Sequence, residues 1–284
     1  MIMNWSNRLA VGRLLTAVVL VGVMAGVAPA VNVAESFDSN PSDWSGSGNT
    51  DGGNSYGFSL LTNFATASSG AGEGGGTVNE RTAEHTYYAD TSVGGIGKGP
   101  LDNTDVLSAS GRFTLDSAAA TDGSIFFGWF DPSLPLTNDP DFIGLNIAPS
   151  GVSKRWRPEA RIGGTGSVPG FATNNLVPGT DYDFTMAYDG AGELTVGFSG
   201  GIGTHVVSGI PFVSDLTDLT AFGLFTPPNA GVDVSTRQYE IFFDDLNYTH
   251  NFPVPEPSSL ALLAIGLLGL LATRGAKNGL AFRR

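Results

Sequence analysis

The body of this chain predicts an all-β fold, a sandwich of two antiparallel sheets, and three observations carry that prediction. Between residues 31 and 250 no stretch holds a helical period, while short runs rich in β-branched and aromatic residues recur. Clusters of Gly, Asp, Asn and Pro separate those runs. One stretch, DYDFTMAYDGAGELTVGF, alternates strictly: Tyr182, Phe184, Met186 and Tyr188 face one way, Asp181, Asp183 and Thr185 the other. Asp189-Gly190-Ala191-Gly192 supplies a turn, and Leu194, Val196 and Phe198 resume the alternation, which makes a hairpin with one wet face. Many short strands without helices assemble as two packed sheets.

The elements follow in order along the chain. Residues 1–30 divide into a basic region with Arg8 and Arg13, an apolar stretch over 14–27, and Ala28-Pro29-Ala30. The small-x-small pattern of Ala28 and Ala30 suits signal peptidase, so 1–30 reads as a signal peptide. An uncleaved anchor helix is the alternative. Strands are expected at 35–38, 56–61, 111–115, 124–131, 142–147, 153–162, 181–188, 193–199, 204–208, 221–225 and 239–248. The Gly-rich stretches 46–57 and 68–77 are expected as long loops. No composition break divides 31–250, which reads as one domain.

After a linker over 251–257 the chain closes on 258–273, without a charge, and a basic tail over 274–284. Sixteen helical residues reach about 24 Å against a hydrocarbon core of roughly 30 Å, which makes a brief transmembrane helix. Arg274, Lys277, Arg283 and Arg284 would hold the tail on the cytoplasmic side. Pro255 and Pro257 keep the chain extended just outside the bilayer, where a protease can bind it as a strand.

Val254-Pro255-Glu256-Pro257, the short apolar helix and the Arg-rich end, in that order, resemble the PEP-CTERM sorting signal of Gram-negative bacteria. The resemblance covers about 30 C-terminal residues. It implies an inner-membrane intermediate, processing by exosortase near Pro255, Glu256 and Pro257, and delivery to the cell surface or extracellular matrix. The tail runs eleven residues past Thr273, somewhat longer than the usual stub. In the body, the Tyr-Asp-Gly turn followed by a Leu-x-Val strand, with SIFFGWFD, YYADTSVGG and FFDDLNYT, is similar to concanavalin A-like lectin and glucanase domains, laminin G-like modules among them. That resemblance implies a jelly-roll β-sandwich whose concave side or edge loops meet sugars.

Composition narrows the partners. The chain carries −13 overall. Without the six basic residues of the two ends and Glu256, the body has 8 basic against 26 acidic residues, or −18. Such a field repels nucleic acid phosphates and leaves carboxylates for hard cations. The absence of cysteine excludes disulfides, thiol nucleophiles and cysteine-zinc sites.

Catalytic patterns are missing as well. A retaining glycosidase of the jelly-roll class would need acids at alternating positions on one strand. Asp181 and Asp183 are followed by Thr185, and Asp139 and Asp141 by Ile143, so neither pair becomes a triplet. His85, His205 and His250 are scattered, with no metalloprotease pair and no nucleophile elbow. GAGEGGG at 70–76 lacks the Lys-Ser/Thr of a phosphate loop.

Two binding sites remain as expectations. Terminal strands of such sandwiches commonly pair, which would bring Glu35 and Asp38 to Asp244 and Asp245 as ligands of a structural calcium; strand-end capping is the plainer alternative. In KRWRPEAR, Lys154, Arg155, Arg157 and Arg161 supply four of the eight basic residues of the body, around Trp156. Arg155 and Arg157 suit the carboxylates or sulfates of a polysaccharide, and Trp156 suits a pyranose face. Pairing of this strand with Asp181 and Asp183 across a sheet is the alternative. Trp129 is either a second sugar platform or core. The reading is an exported envelope protein whose sandwich binds or organises polysaccharide without catalysis. The rivals are a jelly-roll hydrolase or lyase and a purely structural matrix protein.

Overall fold

The computed structural model describes residues 31–47, 55–60, 72–79, 86–94, 101–102, 105–116, 124–133, 140–150, 153–162, 165–210, 219–226 and 238–250. The expected signal peptide with Ala28 and Ala30, the motif Pro255-Glu256-Pro257, the terminal helix and the basic tail lie outside the described residues. Among those residues there is no helix, and so none long and apolar enough to cross a membrane.

The expected all-β sandwich is observed: two antiparallel sheets share one buried core. One sheet holds β1 (Val31–Glu35), β3 (Ser55–Ser59), β4 (Glu73–Asn79), β6 (Leu107–Asp116), β11 (Asp181–Tyr188), β12 (Glu193–Phe198), β13 (Gly203–Ser208) and β15 (Gln238–His250). Its spatial order is β13-β12-β11-β6-β15-β4-β3, with β1 beside the end of β15. The other sheet holds β2 (Trp44–Ser47), β5 (Thr86–Asp90), β7 (Ile125–Phe130), β8 (Phe142–Ser150), β9 (Ser153–Ile162), β10 (Thr165–Ser167) and β14 (Ala221–Thr226). Its order is β10-β9-β8-β7-β14-β5-β2.

Alternation decides which side chains fill the space between the sheets. On β11 the buried set is Tyr182, Phe184, Met186 and Tyr188, and the hairpin to β12 forms as its pattern predicts. These rings meet Ile125, Phe127 and Trp129 of β7, Ile143, Leu145 and Ile147 of β8, Trp156 of β9, and Phe222 and Leu224 of β14 in one continuous core. Burial of this apolar surface is the main stabilising term.

Two departures have physical causes. The first strand is Val31–Glu35 rather than 35–38, because Phe37 takes a φ of 49° and turns the chain there. Its amide donates to Glu35 Oε1 at 2.9 Å while its ring is buried against Trp44 and Phe243. Within the expected loop 68–77, residues from Glu73 on form β4, a ladder strand on β15. Its glycines leave room for β15: a Cβ on Gly74 would run into the Phe243 ring. A strand that receives side chains instead of offering them has no alternating signature.

Candidate functional site

β7, bounded in the sequence by apolar residues on both faces, needs cover on both sides. Its outward residues Phe126 and Phe130 join Phe142, Phe225, Ala89 and Ala221 in a second buried cluster on the face turned away from the other sheet. Phe126 and Phe225 stack at 5.0 Å with rings 11° apart, and Phe142 stands edge-on to Phe126 at 5.1 Å. Ladder register carries this face sideways in a row: Tyr87, Phe225, Phe126, Asn146 and Arg157 are successive cross-strand partners. The row runs from an aromatic floor into a polar end.

That polar end is built by β9. Alternation puts Arg155, Arg157, Glu159 and Arg161 on the outer face and Lys154, Trp156, Pro158 and Ala160 on the other. Glu159 is fully buried, with 0% of its surface exposed, and it organises the group. Arg157 gives it two contacts, Nε at 3.0 Å and Nη2 at 2.9 Å, and Arg161 Nε donates at 2.7 Å. Asn146 Nδ2 donates to the same carboxylate at 2.5 Å, and among the described residues the buried Asn146 Oδ1 meets no donor. One carboxylate thus fixes two guanidiniums, and the trio keeps one net positive charge on a face of an acidic body.

The edge of β9 adds an aromatic. Leu176 and Lys154 exchange backbone hydrogen bonds, and Ala172 N donates to Trp156 O, so the chain after β10 runs along this edge. Phe171 then lies beneath two cations: Arg155 Cζ is 4.2 Å and Arg157 Cζ 4.3 Å from its ring centroid. Arg161 Cζ sits 4.8 Å over the Phe126 ring. Arg155 is exposed, Arg157 and Arg161 partly so, and all three are held by neighbours. None of the described strand positions on this face is a histidine, and its carboxylate is engaged by two guanidiniums. Guanidinium forks held in this way have the donor geometry that suits a carboxylate or sulfate.

The residues expected from the sequence separate accordingly. Arg155 and Arg157 come together on the outer face. Trp156 does not join them: it is fully buried between the sheets, edge-on to Phe198 at 5.0 Å, with Nε1 donating to Asn174 O at 2.9 Å. Trp129 is equally buried and donates to Thr249 O at 3.1 Å. Neither indole offers a face to a sugar, and this corrects the expected stacking platforms. Lys154 is buried too, and burial pushes its amine below the ordinary lysine range. Asp181 and Asp183 belong to the other sheet, beside Arg112 and not beside β9. Arg161, expected in the same basic patch, does join Arg155 and Arg157, while Asn146, Glu159 and Phe171 are additions from the structure; the period-two rule applied to RPEAR reaches Glu159.

The expected calcium ligands share a region but not a cage. First and last strands do pair, Glu35 with Leu246. Glu35 caps the Phe37 amide, Asp38 accepts from Ser36 Oγ at 2.9 Å, and buried Asp244 accepts from the Asp245 amide at 2.8 Å. Asp245, with a φ of 49°, marks an irregularity in the β15–β6 ladder. Among the described residues no group of three or more acidic, histidine or cysteine side chains is arranged to hold a metal ion.

A buried polar knot ties β15 to β5. Tyr248 Oη donates to Asp90 Oδ2 at 2.7 Å, and Ser92 Oγ donates to Asp90 Oδ1 at 2.7 Å. His250 Nε2 lies 3.1 Å from Ser92 Oγ and 3.7 Å from Asp90 Oδ2. Serine and acid meet the same ring nitrogen, whereas a nucleophilic relay needs them on opposite nitrogens, so this is a latch. Burial, with the Asp90 charge beside it, pushes the Tyr248 phenol far up; burial pushes the His250 ring below 6.5 against the pull of Asp90.

The last described residue, His250, leads into a segment that matches a known pattern over residues 253–277, the PEP-CTERM protein-sorting motif. The chain carries a PEP-CTERM sorting motif. That motif implies export, a membrane-held intermediate processed by exosortase, and sorting to the cell surface. No curated protein sequence matches the chain. Among solved structures, peanut lectin with a 9mer peptide is 12% identical with a TM-score of 0.48, covering 79% of this chain and 98% of its own. A protein of unknown function from Shewanella oneidensis MR-1 is 14% identical with a TM-score of 0.48, covering 88% and 95%. Alginate lyase Aly36B is 11% identical with a TM-score of 0.45, covering 78% and 97%. At these values nothing about ligand or activity passes from them to this PEP-CTERM chain.

Proposed function

We propose that this is an exported, exosortase-sorted protein of a Gram-negative cell surface or matrix whose sandwich binds anionic polysaccharide without cutting it. The observation that carries the reading is the Arg157-Glu159-Arg161 trio, with Arg155 and Phe171 beside it, on the outer face of the seven-stranded sheet. A buried carboxylate holds two guanidinium forks in fixed directions, which lowers the ordering cost of gripping a carboxylate or sulfate. Asn146 Oδ1 is a buried acceptor suited to a sugar hydroxyl. The body's −18 charge repels any polyanion at long range, so binding would rest on short-range contacts with the fixed forks.

The test is affinity electrophoresis of the exported protein through gels containing a polyuronate, a sulfated glycan or a neutral glucan. Retardation by one or both acidic polymers, lost in Arg157→Ala and weakened by salt, is the expected result. Equal mobility in all three gels, or retardation that survives Arg157→Ala, would remove the reading. Unsaturated or shortened products from any polymer would move the protein to the lyase or hydrolase class.

A further inference from the structure

β1 stands off the main path of its sheet and pairs with the C-terminal end of β15, the last strand among the described residues. The partners are Val31 with His250, Asn32 with Thr249, Val33 with Tyr248, Ala34 with Asn247 and Glu35 with Leu246. The first and last described residues are therefore neighbours. The same stretch of β15 is fastened from other directions: Trp129 donates to Thr249 O, Tyr248 to Asp90, and the Ser108 amide to Thr249 Oγ1 at 2.7 Å. Thr249 Oγ1 also donates to Asn32 Oδ1 at 3.2 Å, across the β1–β15 pair. Loosening β15 near His250 would cost this whole set.

Pro255 follows His250 by five residues, and five extended residues span at most about 18 Å. A membrane-bound peptidase that engages the motif therefore works within that distance of the clasp. We infer that the sorting peptidase acts on a closed sandwich: β1 is laid on β15 before the motif is processed, and processing proceeds without opening the pair. The inference rests on the sorting motif and is independent of polysaccharide binding.

The chain has no cysteine, so an engineered pair can report the clasp without competition. Ala34 and Asn247 are exposed Cα partners. Antiparallel partners stand about 4.5–5.5 Å apart at Cα, inside the range a disulfide spans. The full chain with Ala34→Cys and Asn247→Cys, tagged at its C-terminus, is pulse-labelled in cells that carry exosortase, and the single variants Ala34→Cys and Asn247→Cys set the unlinked rate. Expected are a disulfide already present in tail-bearing precursor and loss of the tail within twofold of the unlinked rate. Disulfide found only after the tail is gone, a linked precursor that keeps its tail, or no disulfide in any species each overturns the inference.

Discussion

Replacing Glu159 with Gln separates two accounts of the basic cluster. The carboxylate is fully buried and takes contacts at 2.5 to 3.0 Å from Asn146, Arg157 and Arg161. Removing one member of a buried ion pair typically costs 3–5 kcal/mol, because the remaining charge loses its partner. Here the orphaned guanidinium-bearing side chains are 19% and 30% exposed and can take up water, and Gln keeps one acceptor, so the low end applies. About 3 kcal/mol, spread over a sandwich of this size, corresponds to a melting temperature lower by roughly 6–12 °C. The variant also gains one positive charge. If charge alone held a polyanion, binding would strengthen; if fixed forks are required, binding falls although the charge has risen. Calorimetric melting and titration with a polyuronate read both quantities. A loss of less than about 1 kcal/mol, or tighter binding, would refute the claim that Glu159 organises the site.

Three further outcomes follow from other parts of the fold. Burial raises the Glu35 carboxyl above 4.5, helped by Asp90 and Asp43. The folded state then binds that proton more tightly than the unfolded chain, so stability falls as pH rises from 4.5 through the folded value. Glu35→Gln, which still accepts from Phe37, is expected to melt higher than wild type at pH 7 and level with it near pH 4; no difference at pH 7 would contradict the assignment. His250 is the opposite case: its depressed value favours the neutral ring, so stability is lost as pH falls below 6.5. Melting between pH 7 and 5.5 should show this slope in wild type and a flatter one in His250→Gln. Gly128 takes a φ of 155° opposite Gly144 in the β7–β8 ladder, and a Cβ there would lie 2.8 Å from Gly144 Cα. Gly128→Ala should cost about 1–3 kcal/mol in urea unfolding, whereas Gly57→Ala, whose Cβ would meet nothing within 4 Å, should lose far less.

What could be read in advance depended on whether a residue's partner lies in its own strand. The 181–198 hairpin was legible because its buried and exposed positions alternate without exception. β4 was hidden because its role is to leave space for Phe243, and space has no sequence pattern. In KRWRPEAR the same alternation forbids Trp156 from sharing a face with Arg155 and Arg157, and the buried indole obeys it. For β7 alternation was insufficient, since both faces are apolar; only the second sheet distinguishes Trp129, packed inside, from Phe126, packed outside. Glu159 sits between two arginines at spacing two and was legible, but its bond to Asn146 on β8 depends on a register the sequence does not display. The pairing of first and last strands was expected, while the acids near it turned to caps and turns instead of converging.

The most direct measurement is equilibrium titration of the exported protein with a defined oligo-uronate, wild type beside Arg157→Ala with Arg161→Ala, at low and physiological salt. Saturable binding by wild type that falls at least tenfold in the double variant and weakens with salt is the expected result. Undiminished binding by the double variant, or none by wild type at low salt, would contradict an anionic-glycan site on this sheet.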